Sequence, residues 1–183
     1  NIAKRFVSYP VVLINPIITK VSFPIFAKSN SSDENLKRIY FKIVNSLSYV
    51  NFPIYFLIFV LAKPFVLFVL GPTWIDSIIL IQVLAITYMI KTTSNPAGSL
   101  ALSKGRADIT FYWNVIKLIY VPVAIYIGSL YDVVGVTVAL LIIQVCLYYP
   151  TWKFIVNRIC FATLKEYSMN FKKPLVFVVI ASV

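Results

Sequence analysis

Residues 100–111 read LALSKGRADITF, which places a short charged turn, Lys104 to Asp108, between two long apolar tracts. Gly105 suits the C-terminal end of a helix, because glycine adopts the left-handed backbone conformation without strain. Asp108 suits the start of the following helix, where its carboxylate can accept hydrogen bonds from free backbone N–H groups. The stretch therefore predicts two long helices joined by a tight and mostly basic turn.

The composition of the whole chain favours a membrane environment. Hydrophobic residues make up 60% of the 183 residues, and charged residues make up 13%. Soluble domains carry about 25% charged residues, because their surface faces water. This chain has too little polar surface to enclose its own core in water. The composition therefore favours a membrane protein over a very hydrophobic soluble domain.

Apolar runs of the length that a bilayer requires, about 20 residues, occur along the whole sequence. The five complete runs cover residues 6–26, 43–70, 75–101, 109–130 and 133–154. A sixth run begins at Pro174 and stops at Val183, and the chain begins at Asn1. We expect an all-α polytopic membrane protein with five complete transmembrane helices and the start of a sixth. We also expect the chain to be part of a longer protein.

Positive charge separates the connecting segments into two sets. Lysine and arginine number 17 and acidic residues 6, so the net charge is +11. The basic residues concentrate in loops 27–42, 103–108 and 153–173, which alternate with loops that have none. Because basic loops mark the cytoplasmic side, these three are predicted to be cytoplasmic. The charge is attributed to topology and to anionic lipids at that face, and no nucleic-acid partner is expected.

Two of the basic loops contain the spacing of a helix start. Residues 31–34 read SSDE and residues 163–166 read TLKE, and both match a capping box. Leu36, Tyr40 and Ile43 then recur at helical spacing. A short helix lying in the interface is therefore predicted before the second span, and the second motif predicts a similar device.

The sequence offers little material for catalysis. Histidine is absent, and Cys146 and Cys160 have neither CxxC nor zinc-site spacing. The six acidic residues fall in loops or at span ends, whereas ion-driven pumps often keep a carboxylate near the midplane. We expect no enzyme activity, no cofactor and no metal site.

Basic residues inside the apolar runs are the main candidates for function. Lys91 lies thirteen residues before Lys104, about 20 Å deep at 1.5 Å per residue. Lys20 lies eight residues before Lys28, about 12 Å deep, and Arg5 is near the start of the first run. A cation at the bilayer centre costs about 2.5–3.5 kcal/mol, so Lys91 is expected to face a wet cavity or an anion. Snorkelling or structural pairing is the alternative, and Lys63 and Lys117 are weaker candidates.

Prolines and amides inside the runs also suggest a cavity. Seven prolines lie within or near the spans and can bend helices around an interior. Asn95 and Asn114 are the amides proposed to line it, although interhelical hydrogen bonding is the better explanation for each amide taken alone.

Three stretches resemble a known family. They read AKRFVSYPVVLINPIITKVSFPIFAK (residues 3–28), NFPIYFLIFVLAKPFVLFVLGPTW (51–74) and IQVLAITYMIKTTSNPAGSLALSKGRAD (81–108). Their order and spacing are similar to those of Wzx-like flippases for lipid-linked oligosaccharides, in the multidrug/oligosaccharidyl-lipid/polysaccharide exporter superfamily. The closest similarity is to the branch that exports O-antigen, colanic-acid or teichuronic-acid repeat units. It covers nearly the whole chain and fades after about residue 150.

The resemblance implies a bundle of 12–14 helices in two lobes, of which this chain is the C-terminal lobe. It implies alternating access in a plasma (inner) membrane, with an undecaprenyl-pyrophosphate-linked glycan as cargo. Polysaccharide polymerases and glycosyltransferases are the implied partners. By position in the motifs, Lys91, Arg5 and Lys20 are the implied pyrophosphate ligands.

Two alternatives stay open at this level. A multidrug exporter of the same superfamily would have a similar fold and an intramembrane carboxylate. A membrane-embedded polysaccharide polymerase or ligase would need a large outward loop, and both outward loops in this sequence are short.

Overall fold

Helices account for the regular secondary structure in the part of the chain that the structure describes. The computed structural model describes residues 2–28 and 32–169, together with residue 174, and no strand occurs among them. The predicted all-α class is confirmed. The helices are α1 (Ile2–Lys28), α2 (Asp33–Phe65), α3 (Ser77–Ser94), α4 (Pro96–Ser103), α5 (Ala107–Ser129), α6 (Val133–Cys146), α7 (Tyr148–Thr151) and α8 (Asn157–Cys160). Wider π turns, Val66–Leu70 and Trp152–Val156, continue α2 and link α7 to α8.

Four helical segments are long and apolar enough to cross a membrane. They are Asp33–Leu70, Ser77–Ser103, Ala107–Ser129 and Val133–Cys160. The middle two match the predicted spans 75–101 and 109–130, whereas the first begins ten residues before the predicted span 43–70 and the last ends six residues after the predicted span 133–154. Residues 153–160 of the predicted loop 153–173 are therefore helical. The first predicted span, 6–26, coincides with α1, a helix of 27 residues. The sixth, 174–183, lies outside the described residues except for its first position.

The predicted interfacial helix before the second span is wrong. Helix α2 begins at Asp33 and continues into the span without a break, so much of the predicted loop 27–42 is helical. Ser32 caps it by accepting a hydrogen bond from the Asn35 N–H at 3.2 Å, so the residue three positions after the cap is Asn35 and not Glu34. The helix is continuous because Leu36, Tyr40 and Val44 bury one face at one-turn spacing and no glycine or proline interrupts them.

The second capping box is formed as predicted. Glu166 Oε2 accepts a hydrogen bond from the Thr163 N–H at 2.8 Å, and Thr163 Oγ1 accepts one from the Glu166 N–H at 3.3 Å. The Thr163 N–H bond, together with the bond from Lys37, lowers the pKa of Glu166 to about 2. The carboxylate is therefore ionised throughout the ordinary pH range, and its ion pair persists.

Two ion pairs bring the basic segments together at one end of the bundle, which we call the basic end. Lys104 Nζ lies 2.7 Å from Asp33 Oδ1, and Lys37 Nζ lies 3.0 Å from Glu166 Oε1. The start of α2, the α4–α5 turn and the segment after α8 are thus neighbours. This is the arrangement that the alternation of basic and non-basic loops predicts, and Gly105 ends α4 with a positive φ of 68°.

Two clusters of buried apolar side chains hold the helices together. One, at the basic end, includes Tyr40, Leu100, Trp113 and Val156. The other, in the opposite half, packs Val7 and Val11 of α1 against Tyr55, Ile81 and Leu84. Between these clusters α3, α5 and α6 do not fill the interior completely, and a cavity remains.

Candidate functional site

A cavity of about 400 Å³ lies between α3, α4, α5 and α6, with Lys4 of α1 at its edge. Three of its lining residues are cations, Lys4, Lys91 and Lys117. Lys91 comes from α3 and Lys117 from α5, so the charges converge from different helices.

A break in the third membrane segment shapes the wall beside Lys91. Helix α3 ends at Ser94 and α4 begins at Pro96, because proline supplies no N–H for the helical hydrogen-bond ladder. Hydrogen bonds of the 3₁₀ type, between residues three apart, occur at this point instead. The Asn95 N–H donates to the Thr92 carbonyl, and the Gly98 N–H donates to the Asn95 carbonyl, each at 3.4 Å. Asn95 and Gly98 both line the cavity.

Lys91 and Lys117 lie at similar depth. Thirteen residues separate Lys91 from Lys104, and eleven separate Lys117 from Arg106, which is about 20 Å and 16 Å from the basic turn. Each ammonium lies over an aromatic ring, Lys91 at 5.3 Å from the Tyr88 centroid and Lys117 at 5.7 Å from that of Trp113. Such contacts partly offset the loss of hydration. The positive charge of Lys91 is close enough to those of Lys117 and Lys4 for Coulomb repulsion between them.

Uncharged polar groups complete the wall. They include Ser94, Asn95, Thr110, Asn114, Tyr120 and Gln144. The hydroxyls of Thr110 and Tyr120 are buried and have no hydrogen-bond partner among the described residues. A buried hydroxyl without a partner costs free energy, so both groups are available to a polar ligand.

Carboxylates are absent from the lining within the described part of the chain. All six acidic residues of the sequence lie at helix ends or in connections, where Asp33, Asp108 and Glu166 pair with basic side chains. The described residues contain no group of three His, Cys, Asp or Glu side chains that could hold a metal ion. The cavity is electropositive, and its chemistry suits an anion.

The structure brings together some of the sequence-predicted residues and separates others. Lys91, Asn95 and Asn114 line the one cavity. Arg5 and Lys20 are not among its lining residues, and exposure does not distinguish them, because Lys91 is exposed as well. Fifteen positions apart on α1, they lie within roughly 60° of each other around the helix axis, facing away from the buried Val7 and Val11. Substrate binding by the five predicted site residues, which are Lys91, Asn95, Asn114, Arg5 and Lys20, stays a prediction.

The other two lysines of the cavity are harder to identify from the sequence. Lys117 is only a weaker candidate there, and the pattern that points to it is its distance of eleven residues from Arg106. Lys4 was missed because its position near the start of α1 suggests a helix-end anchor. Gln82, another amide at depth, donates instead to the Phe59 carbonyl of α2 at 3.4 Å.

Known proteins resemble this chain over most of its length. A family of polysaccharide biosynthesis proteins matches residues 1–79. Lipopolysaccharide biosynthesis protein WzxC of Escherichia coli (strain K12) is 29% identical over 175 residues, which are 95% of this chain and 36% of that protein. Teichuronic acid biosynthesis protein TuaB of Bacillus subtilis (strain 168) is 36% identical over 140 residues, 74% of this chain and 29% of that protein. An uncharacterized membrane protein in the cps region of Klebsiella pneumoniae is 29% identical over 178 residues, 96% of this chain and 36% of that protein.

The chain spans about a third of the length of these curated relatives. No solved structure matches it. The fold and the cavity define a multi-pass, all-α membrane protein with an electropositive interior. Among such proteins, the chain is a relative of the Wzx-like polysaccharide biosynthesis proteins, as its sequence landmarks indicated.

Proposed function

We propose that this protein takes part in polysaccharide biosynthesis as a transporter of lipid-linked repeat units. The cargo is an oligosaccharide joined through a pyrophosphate to a polyprenyl chain such as undecaprenol, and it passes from the cytoplasmic to the outer leaflet of the plasma membrane. No covalent bond changes in this process, so the protein is not an enzyme. The single observation that supports the proposal best is the convergence of Lys4, Lys91 and Lys117 on one cavity whose described lining has no carboxylate.

The electrostatics of the cavity suit a pyrophosphate. A multiply charged anion cannot enter hydrocarbon without losing its hydration. Fixed cations in a poorly solvated cavity offset this loss through Coulomb attraction and charge-assisted hydrogen bonds. The anion in turn relieves the repulsion between Lys91 and Lys117. The hydroxyls of Thr110 and Tyr120 supply further donors.

The mechanism that fits this arrangement is alternating access. The polyprenyl tail stays in the lipid while the head group occupies the cavity, and the helices around it move to open one side at a time. The Asn95–Pro96 break lies in the cavity wall, where α3 and α4 can change their relative angle. The polymerase and the glycosyltransferases of the same glycan are the proposed partners.

The orientation has its own test. With the basic end at the cytoplasmic face, a membrane-impermeant maleimide should not label Ser103→Cys in intact cells and should label it after permeabilisation. Ser129→Cys, at the opposite end of α5, should react in intact cells. The background should carry Cys146→Ser and Cys160→Ala, because Cys146 is exposed. Labelling of Ser103→Cys from outside would contradict the orientation.

The function is tested by deleting the gene and following the glycan. We expect lipid-linked repeat units to accumulate at the cytoplasmic face, surface polysaccharide to be lost, and the wild-type gene to restore both. The repeat units are located by a membrane-impermeant glycosidase applied to right-side-out and inverted vesicles.

The two alternatives give different outcomes in the same experiment. Loss of a polymerase or ligase leaves unpolymerised repeat units at the outer face, where the glycosidase reaches them in right-side-out vesicles. Loss of a drug exporter leaves the polysaccharide unchanged and increases sensitivity to cationic drugs. Either result would overturn the proposal.

A further inference from the structure

A second opening lies between α1 and α2 and shares none of the described residues that line the lysine cavity. It has a volume of about 460 Å³. Val21 and Ile25 of α1 face Ile39, Ile43 and Leu47 of α2 across it, and Lys42 lies at its edge. We call this opening the α1–α2 groove.

The chemistry of the groove divides into an aliphatic wall and one cation. On α2, positions 39, 43 and 47 repeat at one-turn spacing, so a continuous apolar stripe runs along the helix. Lys42 and Ser46 lie in the next row of the helix surface, beside this stripe. The groove is therefore amphipathic, with one positive group next to a long apolar surface.

The charge of Lys42 is not balanced by the described part of the protein. Lys37 and Lys104, at the same end, each hold a carboxylate, at 3.0 Å and 2.7 Å. Lys42 is exposed, and no described acidic side chain lies within ion-pair distance of it. Lys42 can therefore bind an anion supplied by its surroundings.

The depth of Lys42 indicates where that partner lies. The segment Asp33–Leu70 has 38 residues and is about 57 Å long, which exceeds a hydrocarbon core of ~30 Å by about 27 Å. When the helix is placed symmetrically, the core boundary lies about 13 Å from Asp33. Lys42 is nine residues, about 14 Å, from Asp33. In this placement of α2, the ammonium lies near the level of the lipid phosphates.

We propose that the α1–α2 groove is a binding site for one anionic phospholipid of the leaflet at the basic end. An acyl chain lies along the wall of Val21, Ile25, Ile43 and Leu47, and the phosphate accepts hydrogen bonds from Lys42 and from the Ser46 hydroxyl. Charge complementarity selects this occupant, since basic pockets between transmembrane helices bind anionic head groups. The site does not depend on what the lysine cavity transports.

Native mass spectrometry of the purified full chain tests this site. The protein is titrated with phosphatidylglycerol and, separately, with phosphatidylcholine, which has the same chains and no net charge. Lys42→Gln should weaken the first phosphatidylglycerol adduct about fivefold, the effect of one basic contact near a lipid surface, and leave the phosphatidylcholine adduct unchanged. Ile43→Trp should fill the groove and weaken both adducts.

Lys165→Gln is the matched control, because Lys165 is an exposed lysine outside the groove. It should leave both adducts unchanged. An equal loss in Lys165→Gln and Lys42→Gln would overturn the proposal, since binding would then follow overall charge. So would unchanged adducts in both Lys42→Gln and Ile43→Trp. The protein is also titrated with undecaprenyl phosphate, as a third ligand. If undecaprenyl phosphate binds more strongly than phosphatidylglycerol and this binding depends on Lys42, the occupant of the groove is the carrier lipid and not a phospholipid.

Discussion

Replacing Lys91 by alanine is expected to abolish export of the lipid-linked repeat units while leaving the protein at its normal level. The variant removes one of three cations in the cavity and with it a charge-assisted hydrogen bond to the pyrophosphate. Such bonds contribute about 1.5–3 kcal/mol, so binding of the anion should weaken roughly 10- to 150-fold. The measurement is surface polysaccharide and inner-face repeat units in cells that carry the substitution in the chromosomal gene.

Two variants make the result specific. Lys63→Ala removes a lysine that also lies in a membrane segment but does not line the cavity, and it should export normally. Lys91→Arg keeps the charge and should retain part of the activity. Normal export by Lys91→Ala, with its abundance verified by immunoblot, would refute the role of Lys91. An equal loss in Lys63→Ala would show that export does not depend on the cavity position of Lys91.

The membrane segments were predictable because their signal is length and composition alone. A run of about 20 apolar residues between polar turns defines a span regardless of which way each side chain faces. The turn at Lys104–Asp108 is an example, since Gly105 has the positive φ that the sequence predicts. Asp108 lies in the first turn of α5, but Arg106 is the N-cap residue, no side chain caps the helix, and the Asp108 carboxylate pairs with Arg106. The depth of Lys91 followed from simple counting, and the structure places that residue in the cavity wall.

The set of cavity residues was harder to predict because it depends on rotation about each helix axis. Helix α5 is apolar almost all the way round, so its sequence does not indicate that Lys117 faces Lys91. Arg5 and Lys4 are neighbours in the sequence, yet only Lys4 lines the cavity. The direction is set by packing of Val7 and Val11 against α2 and α3, a tertiary contact that no local pattern encodes. The continuous α2 was missed for a related reason, because a basic surface was interpreted as an interfacial helix.

The α5–α6 hairpin is the place where one methyl group should have the largest effect on stability. A Cβ added to Gly135 would collide with the Gly128 carbonyl oxygen and would lie 2.9 Å from the Tyr131 Cβ. A Cβ added to Gly128 would lie 2.8 Å from the Gly135 carbonyl oxygen. The two carbonyl oxygens are backbone atoms, and they cannot move aside as the end of a side chain can. The two helices therefore approach closely only because both positions are glycine.

Gly135→Ala should destabilise the protein by about 1–3 kcal/mol, the usual cost of overpacking, and lower the melting temperature by about 2–4 °C per kcal/mol. Thermal unfolding in detergent can be followed with a thiol-reactive dye in a Cys146→Ser background, because Cys160 is buried and reacts only on unfolding. Gly98→Ala is the control: no atom lies within 4 Å of its added Cβ, and alanine favours the helix. An unchanged melting temperature in Gly135→Ala would show that the hairpin relaxes, and close glycine packing would then not be what holds α5 against α6.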